Sequence, residues 1–188
     1  MRSGAVGHTA IRPATAADAA SLARFAASAF VDTFGPDNAP EDMAAYVSKA
    51  FGEPVQRAEI ADPRLAIFVA ERDGSLAGYA VLRDGDVPDT VRAALHALPS
   101  SGTGAIEISR LYVGERWLGA GIGAALMQHC LDVAAARGRR MVWLGVWERN
   151  ARAIAFYDRW QFVDVGSQPF LLGNDLQTDR IMARVLEG

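Results

Sequence analysis

Three glycines fall within six residues, Leu118-Gly-Ala-Gly-Ile-Gly123, between a strand-like run from Ala105 to Val113 and a helix-like stretch from Gly121 to Arg137. A strand that passes into a helix through glycines points to an α/β arrangement whose turn lets the backbone come close to a ligand. Successive free amides at a helix start bind an anion with help from the helix dipole, and a pyrophosphate is the natural guest. The segment lacks the Lys-Ser/Thr pair of a P-loop, and its glycines do not follow the dinucleotide fingerprint. An isolated glycine triplet is more commonly a tight, closely packed connection, so the segments around it must decide.

Those segments alternate between the two periodicities. His8 to Pro13 reads as a strand, and Thr15-Ala-Ala-Asp18 resembles a capping box. Leu22, Phe25, Ala26, Ala29, Phe30 and Thr33 then give one helical face as far as Phe34. Pro40, Glu41 and Asp42 suit a first helical turn ahead of Met43, Tyr46, Val47, Ala50 and Phe51, and a third helix runs from Pro54 to Ala61. Leu65 to Ala70 and Leu76 to Leu82 flank Arg72-Asp-Gly-Ser75, a hairpin signature. Val91 to Leu98 reads as a short helix, and Ser100 to Gly104 as a mobile turn. In the helix after the glycine turn, Ile122, Ala125, Leu126, His129 and Val133 line one face, and Gly138 stands where a left-handed cap belongs. Met141 to Trp147 is a buried-type strand, Ala151 to Trp160 a helix, and Phe162 to Val165 and Arg180 to Leu186 two closing strands. The pattern predicts one α/β (α+β mixed) domain over residues 1–188, with right-handed crossovers in a mixed sheet and an antiparallel early hairpin.

Composition removes several classes of function. With 51% hydrophobic residues in 188, the chain is long enough to bury a core of its own. A net charge of -3 and scattered arginines argue against a nucleic-acid partner. Cys130 is the single cysteine, and no Cys/His cluster has metal-ligand spacing, so the expectation is a reducing, cytoplasmic setting without a metal. The N-terminus has no long apolar run, so neither a secretory signal nor a membrane-spanning helix is expected there.

The turn is preceded by Arg110-Leu-Tyr-Val113 and followed by Asn150-Ala-Arg-Ala-Ile-Ala-Phe-Tyr157, and with these neighbours the chain resembles the GNAT acetyltransferase superfamily. The resemblance implies the GNAT fold: a central mixed, mostly antiparallel sheet flanked by helices, with a splayed parallel strand pair that binds acyl-CoA. Acetyl-CoA would be the donor substrate. Its pyrophosphate would lie on Leu118, Gly119, Ala120, Gly121, Ile122, Gly123 and Ala124, and its pantetheine between Ile106–Val113 and Val142–Trp147, with Asn150 and Phe156 on the following helix. The family usually has Gln or Arg where this chain has Leu118, and Gly-Phe where it has Gln161-Phe162. A closer resemblance, from about Ile11 to Leu186, is to bacterial spermine/spermidine N-acetyltransferases of the PaiA type. It rests on Asp32-Thr-Phe, Asn38-Ala-Pro-Glu-Asp-Met43, Trp143-Leu-Gly-Val-Trp-Glu148, Ala153-Ile-Ala-Phe-Tyr157, and Phe170 through Gly173 to Gln177-Thr-Asp179 and Ile181-Met182. It implies a small-molecule amine as acceptor, a polyamine in particular. Dimers are common in the family, so a homodimer is compatible with it.

Acyl transfer from a thioester to an amine needs a neutral nucleophile, a stabilised oxyanion and a proton for the leaving thiolate. The resemblance assigns the last role to Tyr157; without it, Tyr157 reads as a packed aromatic on an amphipathic helix. Glu107 shares a face with Ser109 if the strand is regular, and is a candidate to take the amine's proton through water; the alternative is an edge-strand carboxylate. Backbone amides near Leu111 and Tyr112 are candidates for the thioester oxygen, and Val113 offers only its backbone. Asp32, Glu41 and Asp42 are candidates for a cationic acceptor, against the plainer reading of solvated or helix-start acids. Trp143 and Trp147 share a parity and either wall the cleft or pack in the core. Cys130 reads as a small core residue, and His8, His96 and His129 lack catalytic partners. Other readings are a transferase for a peptide or amino-sugar amine, and an acyl-CoA sensor without turnover.

Overall fold

The computed structural model describes residues 9–85, 87–96, 98 and 104–186. Among them seven strands, β1 (Thr9–Pro13), β2 (Leu65–Arg72), β3 (Ser75–Arg83), β4 (Ala105–Val113), β5 (Met141–Trp147), β6 (Val163–Leu172) and β7 (Asp175–Val185), form one sheet in the order β1-β2-β3-β4-β5-β7-β6. Only β4 and β5 run parallel; every other pairing is antiparallel. The helices are α1 (Ala19–Phe34), α2 (Pro40–Ala50), α3 (Glu53–Ala61), α4 (Asp89–Leu95), α5 (Ile122–Ala136) and α6 (Ala151–Arg159).

The central strands are apolar on both faces because each face is covered. Phe68, Ala70, Ala80 and Leu82 meet α5 through Leu126, Met127 and Cys130, while Ile67, Val69, Tyr79 and Val81 meet α1 and α2 through Leu22, Ala26, Phe30 and Met43. Alternation along the strands sends neighbouring residues to opposite layers. The predicted capping box is present, preceding a 3-10 turn at Ala16–Asp18 rather than α1 directly. Thr15 N–H donates to Asp18 Oδ2 at 2.7 Å. Arg12 pairs with the same carboxylate at 2.8 Å, which holds Asp18 well below the usual carboxylate range.

Pairing between β4 and β5 covers only Ala105↔Met141, Ile106↔Val142 and Glu107↔Trp143. Beyond it β4 continues to Val113 and β5 to Trp147 without pairing, so the two strands part. The cause lies on the other edge of β4. Leu82 faces Ile108 but Val81 faces Arg110, so Ser109 is an extra residue, a bulge that bends and twists the strand.

Two expectations change. The closing strands are longer, because β6 and β7 continue through Gly166-Ser-Gln-Pro169 and meet at a tight turn, Gly173-Asn174. β6 is an edge strand with little apolar burial, so it tolerates Pro169 and shows no hydrophobic run. The buried face of α5 is Ile122, Leu126, Cys130 and Ala134, with Met127 and Leu131 beside it; Ala125, His129 and Val133 are only half-buried. His8, and Ser100 to Thr103 of the turn expected to be mobile, lie outside the described residues. Gly138 has φ +68°, the left-handed cap its position predicted.

Close approach of α5 to the sheet depends on Gly78. A Cβ there would lie 2.8 Å from the Tyr112 carbonyl oxygen, 3.0 Å from Leu126 Cδ1 and 3.1 Å from Ile122 Cγ2. Neither the strand nor the helix start can give way cheaply, so Gly78→Ala is expected to cost about 2 kcal/mol. In a thermal melt this corresponds to a fall in Tm of roughly 5 °C, and an unchanged Tm would show that the helix does not rest on this contact.

Candidate active site

The parting strands open a cavity of about 510 Å³, lined at one end by the glycine turn and at the other by aromatic side chains of α1, α2 and β6. The turn is shaped by backbone conformation. Gly119 and Gly121 have φ +78° and +82°, and a Cβ at either would meet nothing within 4 Å, so it is the left-handed backbone that calls for glycine there. The first hydrogen bond of α5 runs from Ala125 N–H to the Gly121 carbonyl at 3.0 Å. The amides of Ile122, Gly123 and Ala124 therefore have no acceptor within the helix. Arg72, at the end of β2, donates to the Ala120 carbonyl at 3.1 Å. Across a trans peptide the N–H of Gly121 points the opposite way, so this bond from behind orients one amide. The guanidinium of Arg72 also lies 5.7 Å from the centre of the Trp117 ring, whose other cation is Arg116 at 4.8 Å.

Leu111, Tyr112, Val113, Leu118, Gly119, Gly121, Ile122, Gly123, Ala124, Asn150, Phe156 and Tyr157 all line this cavity, which brings together most of the residues expected around a cofactor. Ala120 is absent from the lining, its carbonyl taken by Arg72. Asn150 caps α6, its Oδ1 accepting from Ala153 N–H at 3.1 Å. Tyr157 is buried on α6, and burial pushes its phenol up to about 12. It keeps its proton at neutral pH.

The proposed acids lie elsewhere. Glu107 is not among the lining residues; it pairs with Arg83 at 3.4 Å, and burial raises its pKa. The Ser109 bulge breaks the regular alternation on which a shared face with Ser109 depended. Asp32 borders a separate shallow depression with Ser28 and Arg116. Glu41 is exposed, and Asp42 accepts from Asn174 N–H at 2.7 Å, tying the β6–β7 turn to the start of α2. Of the two tryptophans, Trp147 lines the cavity and Trp143 packs under α4 with Val91 and Leu95. Cys130 is fully buried, its thiol pushed up to about 12, as a core residue. Among the described residues no group of three or more His, Cys, Asp or Glu could hold a metal ion, and no helix is long and apolar enough to cross a membrane.

The far end of the cavity holds groups that, Trp147 apart, sequence reasoning did not place there. Phe30, Phe34, Tyr46, Phe51, Trp147 and Phe170 wall it; Tyr46 stacks on Phe30 at 4.7 Å, and Phe34 meets Trp147 edge-on at 5.8 Å. Arg110 enters from β4, held by Glu59 of α3 through two bonds of 2.7 and 2.9 Å and lying over Phe51. Asp179 of β7 also lines this end, and burial raises its carboxyl to about 6. No local pattern distinguishes it, because the adjacent Arg180 makes the pair look like surface charge; the one signal is its place within the stretch Gln177-Thr-Asp179.

Comparison with known proteins adds the ancestry. The model of the acetyltransferase (GNAT) family matches residues 29–162, which include β4, the glycine turn and Tyr157. An uncharacterized N-acetyltransferase of Mycobacterium tuberculosis is 36% identical over 169 residues, 90% of this chain and 98% of that one. The crystal structure of PaiA N-acetyltransferase from Thermoplasma acidophilum in complex with coenzyme A superposes with a TM-score of 0.76 at 17% identity, covering 95% of this chain and 99% of that one. The structure of yncA from Salmonella typhimurium with its cofactor acetyl-CoA gives a TM-score of 0.67 at 21% identity, covering 96% of this chain and 95% of that one. A family match over most of the length, with a relative at 36% identity along 90% of the chain, goes beyond a shared fold: this chain belongs to the GNAT family of N-acetyltransferases.

Proposed function

We propose that the chain, as one catalytic domain, moves an acetyl group from acetyl-CoA to a primary amine of a small molecule by direct attack in a ternary complex. One observation carries this reading: a single cavity runs from the unpaired amides at the start of α5, through the gap between β4 and β5, to the buried Tyr157. Amides of Ile122, Gly123 and Ala124 suit a pyrophosphate, aided by the helix dipole. Leu118 adds no polar contact, so the backbone supplies the binding. Beyond Glu107 the β4 edge toward β5 has no strand partner, so backbone groups from Leu111 to Val113 are free to hold the pantetheine and the thioester oxygen.

In the proposed reaction the acceptor nitrogen forms the C–N bond, the C–S bond breaks, and Tyr157 gives its proton to the departing sulfur. Its raised pKa makes it a reluctant donor compared with an ordinary thiol near about 8.5, so transfer accompanies collapse of the intermediate. Glu107 lies outside the lining and would receive a proton only through water. The polyamine acceptor is the finer part of the reading, and it rests on the sequence resemblance to PaiA-type spermine/spermidine N-acetyltransferases from about Ile11 to Leu186. Its aliphatic carbons suit aromatic walls. The acids first considered for it, Asp32, Glu41 and Asp42, do not line the cavity.

Release of coenzyme A thiol from acetyl-CoA, measured with spermidine, spermine, amino sugars and short peptides, tests the reading. Polyamine-dependent release supports it in full, and another preferred amine keeps the transfer but replaces the acceptor. Tight acetyl-CoA binding with no release for any amine would mark a sensor. Tyr157→Phe is expected to lower kcat by about 100-fold while the acetyl-CoA Kd stays within about twofold; unchanged turnover would remove Tyr157 from the chemistry. Arg72→Ala should leave Tm nearly unchanged and weaken acetyl-CoA binding about fivefold, roughly 1 kcal/mol, since it frees the peptide that aims the Gly121 amide.

A further inference from the structure

We infer that Asp179 is the carboxylate that receives the acceptor's ammonium group and takes its proton, and that the surrounding rings select an alkylamine without polar groups on the carbons nearest nitrogen. This rests on the acetyl transfer proposed above. On the sheet Asp179 stands opposite Trp147 of β5 and Gln168 of β6. Diagonally from it, Gly145 has no side chain, and a Cβ there would lie 3.2 Å from Asp179 Oδ2 and 3.0 Å from Gln168 Nε2. The missing side chain makes the room in which carboxylate and amide sit.

Among the described residues Asp179 has no hydrogen-bond or ion-pair partner. The next residue, Arg180, turns to the opposite face and bonds Asp164 at 3.4 Å. Of the other charged groups on the lining, Arg110 is held by Glu59, and Arg152 belongs to the first turn of α6 beside the Asn150 cap. Asp179 is thus the one carboxylate on the described lining and lacks a cation, while Phe34, Tyr46, Trp147 and Phe170 complete the box. An alkylammonium satisfies both: the carboxylate takes the charge, the ring faces attract the cation, and the rings cover its methylenes. A hydroxyl or amide beside the nitrogen would be desolvated against these rings without a partner.

The proton balance is complete. An ammonium loses two protons on becoming an amide. One passes to Asp179 and on to solvent, and the other balances the proton that Tyr157 gives to sulfur. An ordinary carboxylate near about 4 is a weak base for an amine, and burial brings Asp179 to about 6. The other titratable or charged groups on the described lining are Tyr46 of α2, whose phenol is raised by burial first and to a lesser degree by the Asp179 charge, Arg110 and Tyr112 of β4, and Arg152 and Tyr157 of α6. A base must be unprotonated to act, so kcat/KM should be low below about 6 and rise as the pH passes through about 6.

The test is a pH profile of acetyl transfer to spermidine, n-butylamine and glucosamine by wild type, Asp179→Asn and Gly145→Ala, with acetyl-CoA binding measured alongside. Asp179→Asn is expected to bind acetyl-CoA normally, to lose about 100-fold in kcat/KM for the alkylamines, and to lose the limb near 6. Gly145→Ala, which pushes on the carboxylate without removing it, should fall about 10-fold and keep the limb. Wild type should prefer both alkylamines to glucosamine by at least about 10-fold. Retention of the limb by Asp179→Asn, or equal use of glucosamine, overturns the inference while leaving acetyl transfer intact. Bound acetyl-CoA with no transfer to any amine by wild type overturns the transfer reading itself and the role of Asp179 with it.

Discussion

The separation of β4 from β5 is the constraint on which the rest of the site depends. A parallel pair held along its whole length would fill the space between Val113 and Trp147 with ladder hydrogen bonds. Here a single extra residue, Ser109, bends β4 after three paired positions, and the unpaired backbone becomes available to a ligand. Backbone groups left unpaired in a protein interior are costly, so the arrangement is sensible where an extended ligand or water meets them. The flanking layers keep the gap open. α5 is held on β3 at Gly78, and α6 begins at the Asn150 cap, so each wall is fixed by its own packing or capping contact.

Fold class and cofactor end were legible in the sequence because each rests on a local rule. Helical and strand periods marked the elements from β2 to α6, and Gly119, Gly121 and Gly138 occupy the left-handed positions that a turn and a cap require. β6 escaped because an edge strand need not show an apolar run, and its Gly166 and Pro169 read as loop. The registration of α5 was misjudged by a quarter turn, since Ala125 and Val133 are as apolar as the residues that are buried. Periodicity reports that a helix has a core face; only packing against Phe68, Ala80 and Ile106 decides between adjacent stripes.

The acceptor end was far less legible. Its side chains come from α1, α2, β4, β5, β6 and β7, separated by as many as 149 residues between Phe30 and Asp179. No spacing rule connects them. Acidic residues that stand out in the sequence, Glu41 and Asp42, do so because helix starts favour acids, and Asp42 serves the turn of β6 and β7. Glu107 looked catalytic from its position before the glycine turn, yet regular alternation fails at the bulge. The same irregularity that opens the site defeats the parity argument used to look for its base.

Electrostatics gives the cavity a direction. The start of α5 presents unpaired amides and the positive end of a helix dipole, a place for phosphate. The opposite end presents aromatic faces and a carboxylate, a place for a cation. Arg110 would spoil that polarity, since it lines the same end. Its pairing with Glu59 answers this: two hydrogen bonds place an acid against the guanidinium, and stacking over Phe51 fixes the plane. A largely buried ion pair is weak evidence for stability, because desolvation offsets most of its attraction. Neutralising a cation that lines the same cavity as the proposed ammonium site is a separate gain. Removal of Glu59 alone would leave Arg110 charged and free beside the acceptor box, and a positive acceptor would then meet repulsion where the present pair shows it little net charge.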